Sequence, residues 1–476
     1  MGDYDGDQTT VKIVFTQEAN EECKKAMNSK SYFINASGQN IRKVENEAIQ
    51  TFYTLTKEPN STNSRPLTDE EKKYFLSFKP EDITFTNMVD WFGDLVDLNT
   101  QTKSSINSKN HKSKFRPTDT FTLTHSEYPL VKDKINTTLG RFIYTKLIVE
   151  MIHFENILPF INFVLDDGGH GKVEKTVANA LKEDKITVDQ MYKYVDTRDW
   201  LGLQLHSVIT TSFTPGVLKV PKEVQALKKE LLKKYKTELE NGDNHASEII
   251  EKELIAKTKE ALKDDIGMDL YVSGARGSIG NNYKNMYLMR GAIKNNMTGK
   301  YEIITGSLLD GLQKENIDAH SNSILSGAFP KAVGTQVSGY LAKELLSAMQ
   351  TEVLADKDSD CGSKGYLTIT LPQKGYDDFI YRYIIEGDKL ICLTPEVITK
   401  YIGKTVKMRS PMYCIGYGKE KHLCNKCAGD FYYMLGKKNI GLVCSRPAET
   451  TKRLGMKKFH ENLVRTKQID VNDMLL

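Results

Sequence analysis

Long apolar runs are missing from this sequence. Its most hydrophobic stretch, Leu139 to Leu165, is broken by Arg141, Lys146, Glu150, His153 and Glu155. A bilayer-crossing helix needs about 20 mostly apolar residues, so no membrane span is expected. No charged-then-apolar leader is read at the start. An excess of one charge sign is also lacking. The chain carries 66 Lys and Arg against 62 Asp and Glu, a net +4. So mild a balance does not demand a nucleic-acid partner. Basic residues do gather at Lys452, Arg453, Lys457, Lys458, Arg465 and Lys467, a pattern usual for a solvated surface. Cysteines number seven, and without a secretion signal they are expected to be reduced. Such cysteines are metal ligands, redox groups or core filler. At 476 residues the chain has room for two or more domains.

What is present begins with acid. Asp3, Asp5 and Asp7 alternate through Gly2-Asp3-Tyr4-Asp5-Gly6-Asp7-Gln8. Three carboxylates that close repel and raise one another's pKa. A divalent cation removes that cost, and hard oxygen donors suit Mg²⁺. A calcium loop would need Gly at its sixth place and Glu at its twelfth, where Gln8 and Val14 stand. A Met1-Gly2 start suggests myristoylation, but Gly6 holds the place that needs Ser or Thr. A frayed acidic terminus without a role is the bland alternative.

Along the chain, β-branched Thr9 to Phe15 predicts a strand. Thr16 is expected to cap a helix running to Met27, with Glu18 in its first turn. Asn35 to Gly38 reads as a turn and Val44 to Thr56 as helix. From Lys57 to Thr118 the chain is polar and carries four prolines, so a loop-rich insertion is expected. Leu139 to Leu165 reads as helix. Lys222 to Glu240 and Ala246 to Lys263 form a helical hairpin around the turn Asn241 to Asn244. Leu227, Leu231, Leu232 and Tyr235 share one face of it. The glycines of Ser273-Gly274-Ala275-Arg276-Gly277-Ser278 would admit close backbone approach to another chain. Asp310 to Leu354 reads as one long helix, weakened by Gly327, Pro330, Gly334 and Gly339.

Cys424-Asn425-Lys426-Cys427 is a C-x₂-C knuckle, with Cys414 ten residues upstream and Cys361 further back. Four thiolates satisfy tetrahedral Zn²⁺ in a closed structural site. A lone redox pair is the alternative, and His422 is a possible alternative ligand. Cys23, Cys392 and Cys444 are expected to be buried and inert.

Taken in order, these pieces resemble the largest catalytic subunit of multisubunit DNA-dependent RNA polymerases, the bacterial β′ type. The resemblance covers most of the chain from Met1 to His460. The aspartate run is similar to the family's Asn-Ala-Asp-Phe-Asp-Gly-Asp-Gln loop, which implies Asp3, Asp5 and Asp7 as Mg²⁺ ligands. Ala26 to Ser29 and Phe33 to Gly38 resemble the stretch after that loop. The hairpin corresponds to helices lining the secondary channel. Ser273 to Ser278 matches the family's Ser-Gly-Ala-Arg-Gly-Ser, and Gly311 to Leu341 resembles the bridge helix, with Thr335 on the family's threonine. Cys361, Cys414, Cys424 and Cys427 fall on the family's zinc ligands. Ile440 to Val443 through Leu454 to His460 resembles the trigger loop, which implies Met456 under the base and Lys457 and His460 facing the phosphates.

The fold implied is multi-module α+β. It comprises part of a double-psi β-barrel with the following helices (1–56), a polar insertion (57–118), a pore or funnel region (119–215) and the secondary-channel hairpin (216–270). An F-loop-like region (271–315), bridge helix (316–356), zinc-binding module (357–430) and trigger loop with C-terminus (431–476) complete it. The reaction implied is nucleotidyl transfer with Mg²⁺ and Zn²⁺ as cofactors, active only in complex. The implied partners are a β′ N-terminal piece, β-type pieces, DNA template, RNA transcript and NTPs.

Several positions depart from the family. Pro330 sits inside the bridge helix, Gly334 replaces a basic residue for which Lys331 stands one turn earlier, and Lys457 replaces an arginine. Ser445 to Glu449 departs from the usual Gln-Ser-x-Gly-Glu-Pro. The aspartate loop opens the chain and no jaw follows the trigger loop. That arrangement resembles the divided β′ of large DNA phages, which implies the cytoplasm of an infected bacterium, or a virion, as the location. A zinc-stabilised nucleic-acid-binding or assembly subunit without chemistry would account for the knuckle but not for the aspartates.

Overall fold

A computed structural model describes the chain apart from residues 1–7, 9–10, 36–37, 45, 61–63, 93–114, 207–208, 210–211, 296–297, 330–334, 421, 446–447 and 449–476. The chain divides into two compact units. One joins Met1–Lys43, Glu174–Tyr192 and Thr351–Val443; the other joins Val44–Val173, Lys193–Gln350 and Cys444–Leu476. Among the described residues helices dominate, with three two-stranded sheets and one four-stranded sheet, an α+β composition. Four strands is the largest sheet among the described residues. No described helix is long and apolar enough to cross a membrane.

In the first unit, the Thr16 hydroxyl accepts from the Ala19 amide at 3.2 Å and starts the helix Gln17–Met27, as the cap predicts. In its described part, the strand expected just before it does not form. Residues 11–15 are irregular, and Val11, Ile13 and Phe15 are 85%, 72% and 86% exposed. β-branched residues favour a strand only where a ladder partner exists, and the described residues supply none there. The Asn35–Gly38 turn does form, with Gly38 at φ +75° donating to the Asn35 carbonyl at 3.0 Å.

The four-stranded antiparallel sheet of this unit runs Leu367–Thr370, Thr405–Met408, Tyr383–Glu386, Lys389–Cys392 in spatial order. Tyr383 pairs with Cys392 and Glu386 with Lys389, leaving Gly387 and Asp388 as a two-residue hairpin loop. Gly387 has φ +62° at its first position, the place that requires glycine in such a turn. Leu371, Ile384, Leu393, Ile398, Val406 and Met408 form the core beneath. A short parallel pairing of Val353–Leu354 with His422–Leu423 lies beside the cysteines.

The second unit holds the helical hairpin. Its helices are Lys222–Lys234, Lys236–Glu240 and Asn244–Ala261, and Asp243 caps the last through the His245 amide at 2.8 Å. Leu231 is buried with Val224, Ile250, Leu254 and Tyr283, while Leu227, Leu232 and Tyr235 pack partly buried against that core. The expected face is therefore the packing face.

The described part of Lys57 to Thr118 holds more helix than its polarity suggests, at Asp69–Ser77 and Phe85–Phe92. A capping box between Thr68 and Glu71 opens the first. Phe75 meets Trp91 at 5.2 Å and Phe115 at 4.9 Å, edge to face. A few large rings bury as much area as many small residues.

Leu139 to Leu165 is helical only as far as Glu150. The helix Leu139–Thr145 runs into one wider π-helical stretch, Lys146–Glu150, and the chain then turns. Of the single helix expected from Asp310 to Leu354, the described residues show helix at Ile317–Phe329 and Thr335–Met349, with a tighter turn at Lys314–Asn316 before them and the strand Val353–Leu354 after them. Pro330, Lys331 and Gly334 lie outside the described residues.

Candidate metal centre

Asp3, Asp5, Asp7, Met456, Lys457 and His460 lie outside the described residues, and Thr335 is the first residue of the helix Thr335–Met349. The site whose geometry is described is the cysteine cluster of the first unit.

Four local structures deliver its sulfurs. Cys361 sits in a turn where Gly362 takes φ +71° and donates to Asp360 Oδ1 at 3.0 Å. Cys414 closes the short turn Pro411–Tyr413, its amide donating to the Pro411 carbonyl at 3.1 Å. Cys424 ends the strand His422–Leu423 and caps the helical turn Asn425–Ala428, which contains Cys427. Gly429 then takes φ +87°, ψ 167°, a region open in practice to glycine alone.

Asn425 stitches these loops together. It is fully buried. Its Oδ1 accepts from the Asp358 amide at 2.9 Å, and its Nδ2 donates to the Gly429 carbonyl at 3.2 Å and to Asp430 Oδ1 at 2.9 Å. Its amide donates to Ser359 Oγ at 3.0 Å. The Cys361 loop is thereby held against the knuckle by hydrogen bonds of the chain itself.

The four sulfurs all lie within 4.8 Å of one another. Cys361 Sγ and Cys427 Sγ are 3.7 Å apart. Zinc–sulfur bonds of about 2.3 Å in a tetrahedron imply edges of about 3.8 Å. The donor set is compatible with zinc. Cys414, Cys424 and Cys427 are buried and Cys361 is half-buried, as a closed structural site requires. As bare thiols the four cannot ionise together. A hydrogen bond from Cys427 holds Cys424 down to about 4, while the same contact, with burial, pushes Cys427 far up. A divalent cation relieves that conflict for every sulfur.

Other expectations need correction. His422 is exposed on its strand and takes no part in the cluster. Cys23 and Cys444 are exposed rather than buried. Cys392 is half-buried and donates to Asp430 Oδ2 at 3.6 Å; burial and that carboxylate push its thiol up to about 12. A thiol held protonated in this way is a weak nucleophile, for an electrostatic reason as much as an apolar one. Arg409 escaped the sequence reading. It is 3% exposed and its Nη2 lies 3.4 Å from Cys361 Sγ and 3.3 Å from Cys427 Sγ. Its place five residues before Cys414, on the end of a sheet strand, gives no spacing signal.

In the second unit, the Ser273–Ser278 loop does make close approaches, but to this chain itself. The Asp167 amide donates to the Ser273 carbonyl at 2.9 Å, and a Cβ on Gly274 would meet Asp167 Cβ at 2.9 Å. Gly277 has φ +73°, and a Cβ there would sit 2.5 Å from Asn282 Oδ1. Arg276 pairs with Glu47.

Comparison with known proteins places this geometry in context. No family model matches the chain. Curated relatives do align along nearly all of it, and they carry one name, DNA-directed RNA polymerase subunit beta′. The protein of that name from Treponema denticola is 24% identical, over 99% of this chain and 33% of its own length. Those from Nitratiruptor sp. and Acholeplasma laidlawii are 23% and 24% identical, over 90% and 96% of this chain. The chain spans about a third of the length of these relatives: 33%, 28% and 37%. The similarity thus runs along most of this chain and along part of each β′ subunit.

Proposed function

We propose that this chain supplies catalytic parts of a DNA-directed RNA polymerase, working only within an assembly of polymerase subunits on template DNA, transcript and NTPs. The observation that carries the reading is the alignment with β′ subunits along 99% of the chain. The aspartate run, the Ser273–Ser278 loop and the cysteine cluster support it by their order.

Asp3, Asp5 and Asp7 would hold Mg²⁺, since three carboxylates at alternate positions form a hard oxygen donor set that fits it. When bound, such an ion lowers the pKa of a coordinated hydroxyl and stabilises charge on phosphate oxygens. The chain's own residues would do the rest. Met456 would pack under the incoming base, and Lys457 would offset phosphate charge. His460 would hold or donate a proton at the leaving pyrophosphate. The helices Ile317–Phe329 and Thr335–Met349 would serve as the bridge helix, with Thr335 near the base, and closure of residues 440–460 against them would exclude water. Cys361, Cys414, Cys424 and Cys427 would hold Zn²⁺ as a structural ion.

Asp5→Ala tests the reading in the reconstituted assembly. Nucleotide addition should fall by at least about 10³-fold, since the variant removes a metal ligand, while co-purification with partner subunits stays intact. An assembly subunit without chemistry would explain the cysteine cluster, and parent-level extension by the variant would favour it.

A further inference from the structure

We propose that Arg409 is a positioning residue of the metal centre, whose guanidinium offsets the charge on two of the sulfurs and so sets how long the ion is held. The inference rests on the reading of the cluster as a zinc site.

Zn²⁺ among four thiolates carries a net charge of about −2. Burying that charge is costly unless a counter-charge or hydrogen-bond donors reach it. Arg409 supplies both from inside the unit. Its Nη2 stands within 3.4 Å of Cys361 Sγ and 3.3 Å of Cys427 Sγ, one sulfur from each half of the cluster. The same nitrogen donates to Asp360 Oδ1 at 2.8 Å, and that oxygen also receives the Gly362 amide at 3.0 Å. Asp360 thus orients the guanidinium and fixes the loop that presents Cys361.

The arginine is anchored at its other end by the sheet. Its amide donates to the Tyr383 carbonyl at 2.9 Å, and Arg382 donates to its carbonyl at 3.4 Å. Its Nε remains buried with no hydrogen-bond partner. A group held at such a cost is held for what its other end touches. Nearby cations are engaged elsewhere. Lys426 reaches the Tyr383 hydroxyl at 3.0 Å and Asp358 at 3.6 Å, and Arg382 reaches the Ala428 carbonyl at 3.2 Å. Arginine suits the task better than lysine, because its planar, weakly hydrated cation buries more readily and its geometry is pre-set. Hydrogen bonds to ionised acceptors are also the strong ones.

The test uses the full-length chain loaded with zinc, and a parallel sample loaded with Co²⁺. Zinc transfer to a chromophoric chelator and the sulfur-to-cobalt charge-transfer band are read for the parent, Arg409→Met, Arg409→Lys and Asp360→Asn. Loss of an outer-shell partner typically weakens metal binding by about 10–100-fold. Arg409→Met should accelerate transfer by about that factor and move the band to lower energy, because sulfurs without donors are more electron-rich. Arg409→Lys should fall between it and the parent. Asp360→Asn should shift both readouts slightly in the same direction, and these two variants carry the test if Arg409→Met does not fold. Parent-like transfer and an unmoved band in the variants would overturn the proposal. Faster transfer with an unmoved band would overturn it too, since packing alone would then be at work. A parent chain that neither purifies with zinc nor takes it up would instead overturn the metal reading itself, and this inference with it.

Discussion

Replacing Gly429 by alanine tests whether the metal-bound knuckle needs a backbone that only glycine adopts freely. This glycine closes the turn that carries Cys427, its amide donating to the Asn425 carbonyl at 2.7 Å. At φ +87°, ψ 167° it occupies a region that costs any other residue about 1–3 kcal/mol. A Cβ would also stand 2.7 Å from the Tyr381 carbonyl oxygen and 3.2 Å from Arg382 Cδ. That carbonyl is already committed to the Asp430 amide at 2.9 Å, so it cannot withdraw freely. Strain and crowding together should cost about 2–4 kcal/mol. If the metal-bound geometry bears that cost while the metal-free turn relaxes it, affinity for zinc should drop by roughly 30-fold to several hundred-fold. Chelator competition at equilibrium reads the loss. Gly403→Ala is the control: its φ is +77°, nothing lies within 4 Å of its Cβ position, and it lies in the turn before the strand Thr405–Met408. It should lose about 1 kcal/mol of stability and no metal affinity. Equal zinc affinity in Gly429→Ala and parent would show that the knuckle adapts and that the argument from backbone geometry is wrong.

Two further outcomes follow from the second unit. Phe75→Ala should cost about 3–5 kcal/mol, because a fully packed ring leaves a cavity between Trp91 and Phe115; limited proteolysis of residues 57–118 should quicken, and parent-like protection would contradict the aromatic core. Hydrogen bonds from Arg65 hold Glu71 down to about 2, so the pair contributes stability that is complete above the ordinary glutamate pKa and is lost as pH falls towards 2. The stability difference between parent and Glu71→Gln should therefore shrink as denaturation is measured from pH 5 down to pH 2, and a constant difference would refute the pairing.

Local chemistry was legible in the sequence where partners are near in sequence. Thr16 and the Ala19 amide are three residues apart, and the helical hairpin shows its apolar face within one periodic stretch. The cysteines were legible because spacing itself encodes a tetrahedral site. Failures came where partners are distant. The strand expected at Thr9 to Phe15 needs a neighbour no local pattern supplies. Phe75, Trp91 and Phe115 meet across a segment whose average composition is polar. Arg409 reaches the sulfurs only because a sheet strand, paired with Tyr383–Glu386, ends beside them. Charge neutralisation at a metal site is set by tertiary placement, and single-sequence spacing carries no record of it.

The threading of the first unit has a consequence for how the protein comes off the ribosome. Phe33 and Ile34 are completely buried, and the same early segment meets Thr351–Val443 where the Ser31 carbonyl accepts from Lys437 Nζ at 3.5 Å, yet that stretch, most of the unit, is synthesised far later. At about 5–20 residues per second, an interval of about 300 residues leaves the early segment waiting roughly 15–60 seconds. Throughout that window its apolar side chains have no finished home, so nascent chains stalled before residue 351 should recruit chaperones at their leading end, and release of those chaperones should coincide with emergence of the knuckle.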